Sequence, residues 1–170
     1  MTAWRGIVCL GLGLTTVLAG CTGAGMSVAS AYGPGIKFTG FGATYDWWPG
    51  DSTSAAIKQA HPDADRIIRE LLADKLATKG YLRRTTGQPD LWVDYGVHRK
   101  TRGGLREASW QPVYEEGTLV IDILDPATGK HIWRGYAQAK VDEADSPAER
   151  EKRVREAIGL ILDRFPSRGQ

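Results

Sequence analysis

Cysteine is scarce in this chain: 170 residues hold two, Cys9 and Cys21. A disulfide framework is therefore excluded. Long hydrophobic runs are missing as well. Beyond the first twenty residues no stretch approaches the 18 or so apolar residues that a membrane-crossing helix needs. Charge of one sign is also lacking, since 22 Lys and Arg stand against 20 Asp and Glu. So balanced a chain offers no electrostatic case for nucleic acid as a partner. No Gly-x-Ser-x-Gly, phosphate loop or His-Glu helix pair occurs, and no internal repeat. His61, His98 and His131 lie far apart without zinc-ligand spacing, and read as ordinary surface histidines. These absences leave no catalytic residue, metal site or cofactor to assign from the sequence.

The N-terminus carries positive information. Met1-Thr2-Ala3-Trp4-Arg5 is followed by an apolar run from Gly6 to Leu18. At 1.5 Å per residue, the run makes roughly 20 Å of helix, too short for a bilayer core of about 30 Å. A basic start, a short apolar middle and small residues describe a cleaved signal peptide over residues 1–20. Leu18-Ala19-Gly20-Cys21 resembles the lipobox of bacterial lipoproteins, in which the first three positions guide the signal peptidase and the cysteine is lipidated. The resemblance implies that Cys9 is discarded, that the sulfur of Cys21 is spent in a thioether, and that two or three acyl chains anchor the protein stably. Thr22 stands where lipoproteins held in the enterobacterial inner membrane carry aspartate. An outer-membrane protein facing the periplasm is therefore expected.

Thr22 to Gly35, TGAGMSVASAYGPG, is uncharged and small, and residues 21–35 read as a lipidated cysteine with a flexible tether. Residues 36–166 are then one domain, with a tail over 167–170. Ile67, Ile68, Leu71, Leu72 and Leu76 form one apolar stripe, which predicts a helix over Pro62–Lys79 stopped by Gly80-Tyr81. Ser146-Pro147-Ala148-Glu149 is a capping box opening a second helix, whose stripe runs from Val154 to Phe165. Strands are expected at Ile36–Trp47, Leu91–His98, Leu119–Ile123 and Ile132–Val141, the last two joined by the turn Asp125–Lys130. Trp133, Gly135, Ala137, Ala139 and Val141 share a face small enough for a helix to approach closely. The expected fold is α+β, order β-α-β-β-β-α: a four-stranded, mostly antiparallel sheet with two helices packed on one face.

Thr44-Tyr45-Asp46-Trp47, Lys79-Gly80-Tyr81, Pro89-Asp90-Leu91-Trp92-Val93, Glu116 to Asp122 and Trp133-Arg134-Gly135 follow one another in a recognisable order. Together they resemble the bacterial lipoprotein family known as domain of unknown function 4136, over roughly residues 35–166. The resemblance implies an envelope domain of α+β architecture and carries over no catalytic residue.

Arg99 to Gly117 reads as a long irregular loop in which Arg99, Lys100, Arg102 and Arg106 precede Trp110 and Tyr114. Basic residues beside an aromatic suit an anionic envelope polymer or an envelope protein. Asp122 reads as a solvent-facing strand position and Asp125 as a turn cap. The reading is an anchored binding or accessory module, with a hydrolase of envelope lipid or glycan as the alternative and a purely structural lipoprotein as a third.

Overall fold

The computed structural model describes residues 25–36, 41–50, 52–106 and 109–168, with side chains of 103–113 excepted. The signal peptide, Leu18-Ala19-Gly20 and Cys21 lie outside the described residues, as do the side chains of Arg106 and Trp110. In chain order the elements are β1 (Ser27–Tyr32), β2 (Thr44–Trp47), α1 (Thr53–Ala60), α2 (Pro62–Thr78), β3 (Leu82–Arg83), β4 (Leu91–Arg106), β5 (Ser109–Leu124), β6 (His131–Val141) and α3 (Pro147–Asp163).

The α+β class holds, but the sheet has six strands where four are expected, in the order β1-β6-β5-β4-β2-β3. The β4, β5, β6 and β1 neighbours are antiparallel, whereas β2 runs parallel to both β4 and β3. Ser27–Tyr32, expected within a flexible tether, is an edge strand paired along its whole length with Trp133–Gln138. Its small residues carry no strong hydrophobic alternation, and the open edge of β6 supplies the pairing that composition does not predict. Met26, just before it, is buried in the core.

The Arg99–Gly117 segment is likewise corrected. Rather than a loop, it continues β4 and β5 as a hairpin whose ladder runs on to Arg106 opposite Ser109, with an irregularity between Arg102 and Gly104. At about 3.3 Å per residue, each 16-residue strand reaches roughly 50 Å.

α2 and α3 cover one sheet face, as their stripes require, and α1 is an additional short helix. Gly80, in the left-handed region at φ 87°, stops α2; its amide and that of Tyr81 donate back to Ala77 and Leu76. The capping box of α3 is present, with Ser146 and Glu149 bonded reciprocally. Leu72, Leu91, Ile121, Ile123, Trp133, Ile158 and Ile161 centre the core. Phe165 packs between Tyr81 and Trp133, at ring-centroid distances of 5.2 and 5.0 Å. Among the described residues no helix is long and apolar enough to cross a membrane.

β2 is wedged between β3 and β4, and Asp90 holds its start. Its carboxylate accepts from the Thr44 amide at 2.9 Å and the Thr44 hydroxyl at 2.6 Å. Those two donors, the hydroxyl first, hold the Asp90 carboxyl below the usual carboxylate range.

A Cβ on Gly135 would overlap the Trp133 ring and lie 2.6 Å from Ile161 of α3. Gly135→Ala should therefore cost about 1–3 kcal/mol in urea denaturation; an unchanged midpoint would show that α3 does not sit so close. Because the folded state depresses its pKa, Asp90 stabilises fully above the unfolded carboxylate value of about 3.9 and loses that contribution as pH falls further. The stability gap between wild type and Asp90→Asn should thus narrow below about pH 4, and a gap independent of pH would refute the clamp.

Candidate functional site

The short motif Thr44-Tyr45-Asp46-Trp47 alternates, and its two aromatics share a face. Tyr45 is buried, and Trp47 meets it edge-on with centroids 5.7 Å apart. On α2, Asp65 and Arg69 are four residues apart, hence stacked on one side of the helix. Arg69 Nε lies 2.8 and 3.0 Å from the two Asp65 oxygens. The Tyr95 hydroxyl, rising from β4, donates to the same carboxylate. The Arg69 guanidinium lies 4.7 Å from the Trp47 ring centre, within cation–π range. From the other side of β2, Arg83 donates through Nε to Asp46 at 2.9 Å, its guanidinium 5.8 Å from the same indole.

After Trp47 the chain turns at Trp48-Pro49-Gly50 into α1, which lies beside β4 past the point where β2 leaves it. Ser54 of α1 donates to Asp94 there. Trp48 meets Trp92 edge-on at 6.1 Å. Between the β2 end, α1 and α2 lies an open cleft of about 470 Å³, lined among others by Trp47, Trp48, Lys58, Arg69 and Arg83.

Burial pushes the Tyr45 hydroxyl up to about 12, with nearby Arg83 opposing the rise. Burial first, then the Asp65 carboxylate, pushes the Tyr95 hydroxyl up as well, so it stays protonated and donating at neutral pH. The cleft's two carboxylates, Asp46 and Asp65, are each answered by an arginine. Arg83 uses only its Nε; its terminal nitrogens, like the Lys58 ammonium, have no hydrogen-bond partner among the described residues. The lining carries three cations against two anions. Chemically, this arrangement suits holding an anion.

The residues singled out in the sequence lie elsewhere. Arg99 and Lys100 are exposed on β4, and the two-residue strand period sends them to opposite faces. Arg102 is paired with Glu116 at 2.8 Å, and Lys140 lies 5.8 Å from the Tyr114 ring. The described basic residues therefore do not converge on one patch.

His98 and His131 share a sheet face but sit on β4 and β6 with β5 between them. His131 Nδ1 is 3.3 Å from Asp122. Asp122, expected to face solvent, is instead buried on the sheet face opposite α2 and α3, gripped by the Arg134 fork at 2.6 and 2.8 Å. Asp125 caps its turn, accepting from the Ala127 amide and the Thr128 hydroxyl. No group of three or more His, Cys, Asp or Glu among the described residues could hold a metal ion.

Sequence reasoning missed Lys58, Arg69 and Arg83. Their one local signal is the four-residue spacing of Asp65 and Arg69; the rest depends on β2 lying parallel between its neighbours.

The family model described as Domain of unknown function (DUF4136) matches residues 28–167. The chain belongs to this family. The DUF4136 match starts inside β1, in keeping with that strand being part of the folded unit. Among solved structures, a PDZ domain protein from Parabacteroides distasonis ATCC 8503 is similar at TM-score 0.55 and 14% identity over 86% of this chain. The chain covers 37% of that protein, about a third, so the likeness concerns the fold alone. Two structures of the PelC dodecamer from Paraburkholderia phytofirmans align at TM-score 0.49, with 13% and 12% identity, over 84% of this chain and 98% and 99% of theirs. No curated protein matches this DUF4136 chain.

The buried carboxylate of the cleft gives a direct test. Tyr95→Phe removes a hydroxyl that serves a charged acceptor, and should cost about 1.5–3 kcal/mol in urea denaturation. A loss under about 0.5 kcal/mol would mean that Asp65 does not rely on β4.

Proposed function

We propose that this chain is a lipid-anchored, periplasm-facing envelope lipoprotein that acts as a binding module, held at Cys21 and presenting the Trp47 cleft away from the membrane. The observation that carries this reading is the polarity of the sheet. Ser27 opens β1 opposite Gln138, which lies across from Thr118 and then His98. The cleft sits at the other end, where Asp46 pairs with Trp92 and Trp92 with Leu124. Six residues of β4 separate the two levels, roughly 20 Å.

The lipobox-like Leu18-Ala19-Gly20-Cys21 supports the anchor. Four residues, Thr22 to Gly25, separate Cys21 from buried Met26. That length spans at most about 18 Å, so anchoring at Cys21 keeps the Ser27 end close to the lipid. Two or three acyl chains hold it there, and confinement raises the effective concentration toward neighbours in the same layer. Thr22 favours the outer membrane. Both carboxylates of the cleft are engaged by arginines, Asp46 by Arg83 and Asp65 by Arg69, which leaves cationic donors as its free polar groups and favours binding over hydrolysis.

The test is labelling with a radioactive fatty acid, followed by fractionation. The wild-type chain should carry acyl label and sediment with membranes, whereas Cys21→Ser should lose the label and be released. Membrane retention of an unlabelled Cys21→Ser protein, or a native product whose first residue is not Cys21, would overturn the anchor.

A further inference from the structure

Resting on the cleft as the binding element, we infer that its ligand is an acidic saccharide: a sugar ring bearing a carboxylate or phosphate. Two of the cleft's cations are oriented by carboxylates. Arg69 is tied at Nε by Asp65 and stacked on Trp47, and Arg83 is tied at Nε by Asp46. The Arg69 guanidinium, mostly buried and held from two sides, gives up little entropy when an anion arrives, while Arg83 is half exposed and its single ion pair only orients it. Arg83 is held by one nitrogen, so its two terminal nitrogens stay unspent, and a planar carboxylate or a phosphate meets such a pair bidentately.

Lys58, exposed on α1 at the cleft margin, adds a third positive charge with no partner among the described residues. Together these place more cation than anion around a concave surface. With Asp46 and Asp65 each paired to an arginine, that excess of one positive charge favours a negative ligand group.

The cleft walls are aromatic. Trp48 gives the cleft amphipathic indole surface, Trp47 being already covered by Arg69. A small inorganic anion has no use for it. The volume, about 470 Å³, is that of a small-ligand site. Polar rims with an aromatic wall suit a ring that is apolar on its face and hydroxylated at its edge, and a sugar has that shape. The acidic group would sit on Arg83 and Lys58, with the ring against Trp48.

The experiment is isothermal titration of the full-length, detergent-solubilised protein with four probes. Tetragalacturonate and the N-acetylglucosamine–N-acetylmuramic acid disaccharide are the acidic saccharides, standing for a uronic-acid polymer and for cell wall. Cellotetraose is the neutral control and inorganic phosphate the ringless anion. At least one acidic saccharide should bind, and which one does tells the two sources apart; cellotetraose and phosphate should bind at least about tenfold more weakly. Lys58→Gln and Arg83→Gln should each weaken binding about tenfold, the loss of one charge-assisted contact. Trp48→Phe should keep binding and Trp48→Ala lose it, with circular dichroism confirming that each variant is folded.

Phosphate binding as tightly as the saccharides would overturn the sugar, and unchanged affinity in Lys58→Gln and Arg83→Gln would overturn the anion contacts. Silence from both acidic saccharides would overturn the inference altogether. Cellotetraose binding that needs Trp48 would remove the acidic class while leaving the cleft as the binding element. None of these outcomes touches the acylation of Cys21, which is read separately by fractionation.

Discussion

A carboxylate nearly withdrawn from water organises this molecule's most distinctive region. Asp65 is 6% exposed, and an unanswered charge there would cost several kcal/mol. It is answered by Arg69 from its own helix and by Tyr95 from β4. The first contact fixes the Arg69 guanidinium over Trp47, so one side chain satisfies the carboxylate and builds the cleft wall together. The second contact joins α2 to the sheet by a polar bond inside an otherwise apolar layer, which sets how the helix seats on β4. The position of Trp47, and with it that of Arg83 across β2, depends on this seating.

The two faces of the sheet are held by different forces. The covered face is apolar and close-packed, and Gly135 exists there because Trp133 and Ile161 leave no room for a Cβ. The other face is held by cross-strand pairs: Arg134 with Asp122, Arg102 with Glu116, Gln138 with Thr118. Individually such partly exposed pairs contribute little. The first and last of these tie β6 to β5, while Arg102 with Glu116 ties β4 to β5 where the two strands run on as a hairpin. The chain end that carries Cys21 meets the sheet toward this extension, and the cleft lies at the remote end.

The helices α2 and α3 were legible because their signals are local. A stripe with a period near 3.6, a serine cap with its glutamate, and a glycine stop each act within a few residues of where they are written. The β5–β6 turn was legible for the same reason, through Asp125 and Gly129. β1 was not, since Ser27 to Tyr32 has no pattern that sets it apart from a linker and becomes a strand only against the free edge of β6. The distal hairpin was missed because Arg102–Glu116 and Thr101–Glu115 are stabilised across the ladder, where charged residues look like a loop when read along the chain.

By itself, then, the sequence determined the α+β class, both long helices with their ends, the family, and the run ending in Leu18-Ala19-Gly20-Cys21, all properties of neighbours along the chain. Only the tertiary structure decided that β2 lies parallel between β3 and β4. That placement brings Arg83 to Asp46 across 37 residues of chain, while the seating of α2 on β4 brings Tyr95 to Asp65 across 30. A cleft made of such contacts has no local signature, because each of its charges is placed by a partner that the chain reaches only after folding.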